Sequence, residues 1–158
     1  MLELGAGDLL QADVEALVNA VNLQGVMGKG IALQFKKAFP GNFEAYRSAC
    51  KRRQLQLGRM FVHPLGMLAP KFIINFPTKD HWRSKSRIED IDLGLKDLAQ
   101  QVMRLGIRSI AVPPLGCGLG GLEWAEVKPL IERHLGELDI RVVVFAPNGA
   151  TEAHRHSG

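Results

Sequence analysis

Twice in this chain a short apolar run breaks into glycines and then resumes as an amphipathic helix. The first instance is VEALVNAVNLQGVMGKGIALQF, residues 14–35, with Gly25, Gly28 and Gly30 in the break. The second is SIAVPPLGCGLGGLEWAEVKPLIERHL, residues 109–135, with Gly116, Gly118, Gly120 and Gly121. A repeated strand–loop–helix order implies a mostly parallel sheet with helices packed against it. Ligands on such sheets bind beyond the carboxyl ends of the strands, and both loops fall there. Glycine costs backbone entropy, so a loop this rich in it serves either a tight turn or a ligand that needs bare backbone.

The rest of the pattern completes an α/β chain. Residues 14–21 read as a buried strand, and 31–39 as a helix stopped by Pro40 and Gly41. A second short helix is expected over 42–53, ending in the basic run CKRR. Lys51, Arg52 and Arg53 read as a solvated helix end. Strands are expected at 59–63, 71–76, 108–115 and 140–147. The clearest helix carries Ile88, Ile91, Leu95, Leu98, Val102 and Leu105 in steps of three and four. Ser86 and Glu89 form a capping-box pattern at its start, and Gly106 ends it. A last helix spans 123–135, where Pro129 is expected to introduce a kink. One domain over 1–148 is expected, followed by a flexible tail or linker, 149–158, in which His154 and His156 are solvated.

Composition narrows the function classes. With 158 residues the chain suits one sizeable core, and 46% hydrophobic against 23% charged residues argues against disorder. No apolar run approaches the roughly 20 residues that span a bilayer. The first residues lack a signal-type segment, so no membrane partner and a cytoplasmic location are expected. Cys50 and Cys117 lie far apart without metal-ligand spacing and read as free thiols. No His/Cys/carboxylate cluster suggests a metal, and no cofactor is implied. A net charge of +4 mildly favours an anionic ligand.

Bare amides at a helix N-terminus cradle phosphate with help from the helix dipole. Neither loop is a Walker A sequence, and GCGLGG crowds its glycines too closely for the usual dinucleotide fingerprint. Asp8 can cap a turn or accept hydrogen bonds from the amino group of a base. Asn19 and Asn22 can cap the strand end or hold ribose hydroxyls, since an amide both donates and accepts. The segment KDHWRSKSR, residues 79–87, interleaves Trp82 with Lys79, Arg83, Lys85 and Arg87. That pattern suits a nucleic-acid strand held by charge and stacking, or a solvated loop with Trp82 packed inward.

GDLLQADVEALVNAVN with GVMGKGIA, followed by PPLGCGLGGLEW, resembles the macrodomain, the ADP-ribose-binding module. The resemblance runs from residue 2 to about 147 and implies a three-layer α/β/α sandwich with a mixed, mostly parallel sheet. INFPTKDHWRSKSRIEDI is similar to one branch: the DarG-type DNA ADP-ribosyl glycohydrolase antitoxins and the related terminal ADP-ribose protein glycohydrolase. On that resemblance Asp8 and Leu9 match the adenine end of the site, and Phe145 and Asn148 close over adenine and its ribose. Asn19 and Asn22 match the distal-ribose side. Gly28, Lys29, Gly30 and Ile31 match the first phosphate loop. Pro114, Gly116, Cys117, Gly118, Leu119 and Gly120 match the second.

The branch has a catalytic lysine at the position of Lys79, and Asn22, at the distal ribose, is expected to share the catalytic role. A neutral lysine amine can attack the anomeric carbon of the distal ribose; water activated by a ligand phosphate is the alternative. One departure stands out. The protein glycohydrolase carries an aspartate in its G-C-G-L-D loop, where this chain has Gly120. Asp80 and His81 are adjacent options for a second group. The resemblance implies removal of ADP-ribose from thymidine in single-stranded DNA, with His81, Trp82, Arg83 and Lys85 holding the strand. It also implies a cognate DNA ADP-ribosyltransferase toxin, DarT, as partner. A non-catalytic ADP-ribose-binding module, or a glycohydrolase acting on protein or on O-acetyl-ADP-ribose, stays open.

Overall fold

The structure is a computed structural model that describes residues 2–147. Asn148 and the expected tail lie outside the described residues. Six strands form one sheet: β1 (Leu2–Leu4), β2 (Ala16–Asn22), β3 (Phe61–Pro64), β4 (Phe72–Lys79), β5 (Ser109–Val112) and β6 (Arg141–Val144). Their spatial order is β1-β6-β5-β2-β4-β3. All neighbouring pairs are parallel except β3 with β4, so five carboxyl ends open on one edge. The helices are α1 (Gly30–Ala38), α2 (Pro40–Lys51), α3 (Ile88–Leu105) and α4 (Trp124–Leu135).

Side-chain alternation along β2 builds the layers. Ala16 and Val18 point into a core with Ile74 and Phe76 of β4, Ile91, Leu95 and Leu98 of α3, and Val127 and Ile131 of α4. Leu17 points the other way, into a cluster with Phe35 of α1 and Ile73 of β4. Val21 shares that second face with Met27 and with Phe43 and Tyr46 of α2. Helices thus cover both faces, and the expected three-layer sandwich with a mixed, mostly parallel sheet is what the chain forms.

Several boundaries differ from the sequence expectation. Pro40 does not stop α1 alone; it opens α2 at the first helical position, where its missing N–H costs nothing. The three-residue β1 was not anticipated, because Leu2–Leu4 is too short to show a period and gains its pairing only from β6. The expected capping box is absent. Arg87 is the N-cap of α3 and no side chain caps it. Ser86 is instead drawn to the second glycine loop, donating its backbone N–H to the Gly120 carbonyl at 2.8 Å. Gly106 closes α3 at φ 66° as expected. Pro129 lies inside α4, which runs unbroken to Leu135.

Candidate active site

A cavity of about 930 Å³ lies across the carboxyl ends of the parallel strands. Strand order fixes how its lining is laid out. The turn after β1 brings Gly7, Asp8 and Leu9, and the segment after β6 brings Phe145. The loop after β5 brings Pro114 to Gly120, the loop after β2 brings Asn22 to Ile31, and β4 ends in Lys79. Across the three strand spacings from β6 to β4 the site is roughly 14 Å long. The two glycine loops occupy its middle, and Lys79 lies at the far end from Asp8.

Asp8 caps a turn, the first of its two expected uses, and also lines the cavity. It caps a short 3₁₀ turn, Leu9–Gln11, accepting the Leu10 N–H at 3.0 Å. Leu9 beneath it is buried. The Phe145 ring lies over Gly5, where an added Cβ would stand 2.5 Å from the ring. Gly5 therefore seats the ring, a role with no local sequence signal.

The first loop is shaped by side chains. Asn22 accepts the Gln24 N–H at 2.9 Å and the Tyr46 hydroxyl at 2.8 Å, and donates to the Val26 carbonyl at 2.9 Å. These bonds wind the chain back toward Gly28 and the start of α1. No side chain caps α1, so its first amides stay available at the cavity wall beside Gly28, Lys29 and Gly30. Burial pushes the Tyr46 phenol well above its ordinary pKa, so it remains a hydroxyl donor to Asn22.

Asn19 corrects the sequence reading. It is fully buried beneath the site and is not part of the cavity wall. Alternation turns it with Leu17 toward α2, where its amide donates to Asn75 at 3.3 Å and Asn75 exchanges hydrogen bonds with Asn42. The N-A-x-N spacing does not mark two equivalent ligand groups. The register shifts between Val21 and Asn22, and only Asn22 reaches the cavity.

The second loop is held by main chain. Leu122 N–H donates to Gly116, Cys117 to Pro114 and Gly121 to Gly118, at 2.9, 3.1 and 3.0 Å. Gly118 has φ +66° with open space at its missing side chain, so the turn leaves its backbone bare toward the cavity. Cys117 lines the wall as a thiol, its pKa pushed up to about 11 by burial and by Glu123 and Glu126. Leu119 is exposed at the loop tip.

Lys79 is partly buried at the cavity end, and its Nζ donates to the Trp82 carbonyl at 3.0 Å. Burial and the positive charge of Lys85 lower its pKa from the ordinary lysine value. Trp82 is 41% exposed and lines the cavity, which overturns the inward-packed alternative. His81 stacks against Trp82 and Arg83 sits over its ring at 4.5 Å. Arg83 and Lys85 are exposed beside the cavity rather than in it. Among the described residues no group of three His, Cys, Asp or Glu side chains is placed to hold a metal, and no helix is long and apolar enough to cross a membrane.

A cleft between two glycine-rich loops on this sheet defines a class, and sequence comparison agrees: the Macro domain family matches residues 18–131, and the chain belongs to it. It is 55% identical over 156 residues, 98% of its length, to the DNA ADP-ribosyl glycohydrolase of Thermus aquaticus, and covers 43% of that relative. The chain thus spans less than half the length of that curated relative. The solved macrodomain of Mycobacterium tuberculosis DarG superposes with a TM-score of 0.92 at 53% identity, covering 94% of this chain and 99% of that one. Thermosipho africanus DarTG in complex with ADP-ribose superposes with a TM-score of 0.88 at 37% identity, covering 94% of this chain and 42% of that one.

Proposed function

We propose that this chain removes ADP-ribose from a DNA base, thymidine in a single strand, and so reverses the action of a DNA ADP-ribosyltransferase toxin of the DarT type in the cytoplasm. The carrying observation is Lys79: a partly desolvated amine at one end of a cleft whose centre is bare backbone. ADP-ribose lies with adenine by Asp8, Leu9 and Phe145. Its diphosphate lies between Gly28–Ile31 and Gly116–Gly120, and its distal ribose by Asn22 and Lys79. Asn148, outside the described residues, follows the Phe145 segment in sequence.

The neutral Lys79 amine attacks C1″ of the distal ribose. A C1″–nitrogen bond forms, the bond to the thymine nitrogen breaks, and the amine's proton goes to the departing base. Water then adds its oxygen to C1″, the C1″–Nζ bond breaks, and the water's proton returns to the amine. Asn22 fixes the loop against which the sugar rests. His81, Trp82, Arg83 and Lys85 form the strand-binding rim, where an aromatic face stacks a base and two cations meet phosphates. A damaged base must stand outside a stack to enter such a cleft, which favours single-stranded DNA.

The relatives' names and the ADP-ribose in the DarTG structure support this reading. Bare Gly120 favours one second reading, a module that binds ADP-ribose on DNA without cleaving it. An oligomer carrying one ADP-ribosylated thymidine separates them: free ADP-ribose and an intact oligomer are the expected products, with modified protein processed far more slowly. Arg83→Ala with Lys85→Ala is expected to raise KM for that oligomer and reduce its salt dependence, while ADP-ribose affinity is kept. An unchanged salt slope would remove the rim from the DNA interface.

A further inference from the structure

Ser86 carries a buried polar atom that the fold does not use. Its side chain is 6% exposed, yet Oγ has no hydrogen-bond partner. Leaving a buried hydroxyl unpaired costs about 1–3 kcal/mol, and a better-paired arrangement is easily imagined: one residue on, the same hydroxyl would cap α3. Instead the backbone of Ser86 is fixed to the second loop through the Gly120 carbonyl. The residue lines the same cavity as Lys79.

The position of Oγ gives it meaning. A Cβ added at Gly120 would stand 2.5 Å from Ser86 Oγ and 3.2 Å from Ser86 Cβ. The serine hydroxyl therefore fills the room that a side chain at position 120 would take. Glycine there is not required by the backbone, since Gly120 lacks the positive φ of Gly116, Gly118 and Gly121. A side chain there would displace the Ser86 hydroxyl. The oxygen is covered in this arrangement, but a serine moves between staggered rotamers at little cost, and Gly120 has no side chain to hold it in place. Resting on the function proposed above, we infer that Ser86 is a positioning residue for the second half of the reaction, its hydroxyl holding the water that releases ADP-ribose from Lys79. A hydroxyl both accepts from and donates to water, so it can aim the water's oxygen at C1″ while the departing Lys79 nitrogen takes the proton.

The test compares wild type, Ser86→Ala, Gly120→Ala and the double variant Ser86→Ala, Gly120→Asp on the ADP-ribosylated thymidine oligomer. Turnover is followed together with the fraction of protein carrying covalent ADP-ribose after an acid quench, read by intact mass spectrometry. Calorimetry with ADP-ribose checks each site. Ser86→Ala is expected to bind ADP-ribose within threefold of wild type, to turn over at least tenfold more slowly, and to accumulate the adduct. Gly120→Ala keeps the hydroxyl but pushes it aside, and is expected to show the same pattern more weakly. The double variant removes the hydroxyl and installs a carboxylate nearby, and is expected to recover turnover and lose the excess adduct. Ser86→Ala turnover within twofold of wild type would overturn the inference, as would slow turnover with no added adduct. An inactive wild type would overturn the function itself, which separates the two failures.

Discussion

The two glycine loops look alike in sequence and are closed by different hydrogen bonds. The first is wound by side chains: Asn22 and Tyr46 make the bonds that turn it, and Met27 anchors it in the core at 1% exposure. Both loops carry left-handed glycines, Gly25 and Gly30 at φ +80° and +59° in the first and Gly116, Gly118 and Gly121 at +66° to +83° in the second, but the second is closed by its own main-chain hydrogen bonds. A loop made of side-chain bonds is tied to the fold's stability. A substitution in a loop of bare backbone strains the turn modestly and acts chiefly on what the loop touches.

That contrast orders the expected effects of substitution. Gly118→Glu points a carboxylate into open space at the cavity wall. A carboxylate about 4 Å from a phosphate costs about 4 kcal/mol at the effective dielectric of a protein surface, so ADP-ribose affinity is expected to fall by at least about 100-fold. Left-handed backbone at that residue adds only about 1–2 kcal/mol of destabilisation. Calorimetry showing unchanged binding would break the placement of the diphosphate.

Tyr46→Phe in the first loop is expected to cost a similar amount of stability without a comparable loss of binding. It removes a buried donor from Asn22 and costs about 1–3 kcal/mol of stability, nearer the low end because Asn22 Oδ1 keeps the Gln24 N–H. Denaturant unfolding should register the loss, with ADP-ribose affinity falling only a few-fold. A stable Tyr46→Phe variant that no longer binds ADP-ribose would mean that the first loop, too, is separable from the fold.

Lys85→Ala tests the smallest effect. Burial first, and Lys85 second, lower the Lys79 pKa. On the proposed mechanism the neutral amine attacks, so kcat/KM should rise with pH until Lys79 is deprotonated. Removing Lys85 raises the Lys79 pKa and moves that limb to higher pH. An unmoved limb would show that Lys85 does not act on Lys79.

The sequence made the architecture legible because alternation and helical spacing are local: α3, with its Ile88-to-Leu105 face and terminal Gly106, needed no tertiary information. It made the loops legible because glycines between a strand and a helix have few other uses. It failed where partners are distant. Asn19 and Asn22 are three residues apart and alike in type, yet Asn22, at the carboxyl end of β2, lines the cleft and Asn19 lies under it. Ser86 had a plausible local role as a helix cap, and its actual neighbour, Gly120, is 34 residues on. Gly5 supports Phe145 across 140 residues, a relation created only when β1 pairs with β6.

The central claim is that the Lys79 amine attacks the sugar. Lys79→Ala and Lys79→Arg, each confirmed by calorimetry to bind ADP-ribose, should both fail to release it from the ADP-ribosylated thymidine oligomer, since a guanidinium stays protonated. Intact mass spectrometry of quenched wild type is the direct measurement. The account predicts a transient mass increase of one ADP-ribose located on Lys79 and absent from both variants. Wild-type turnover in Lys79→Ala, or turnover by the wild type with no adduct at any quench time, would contradict it.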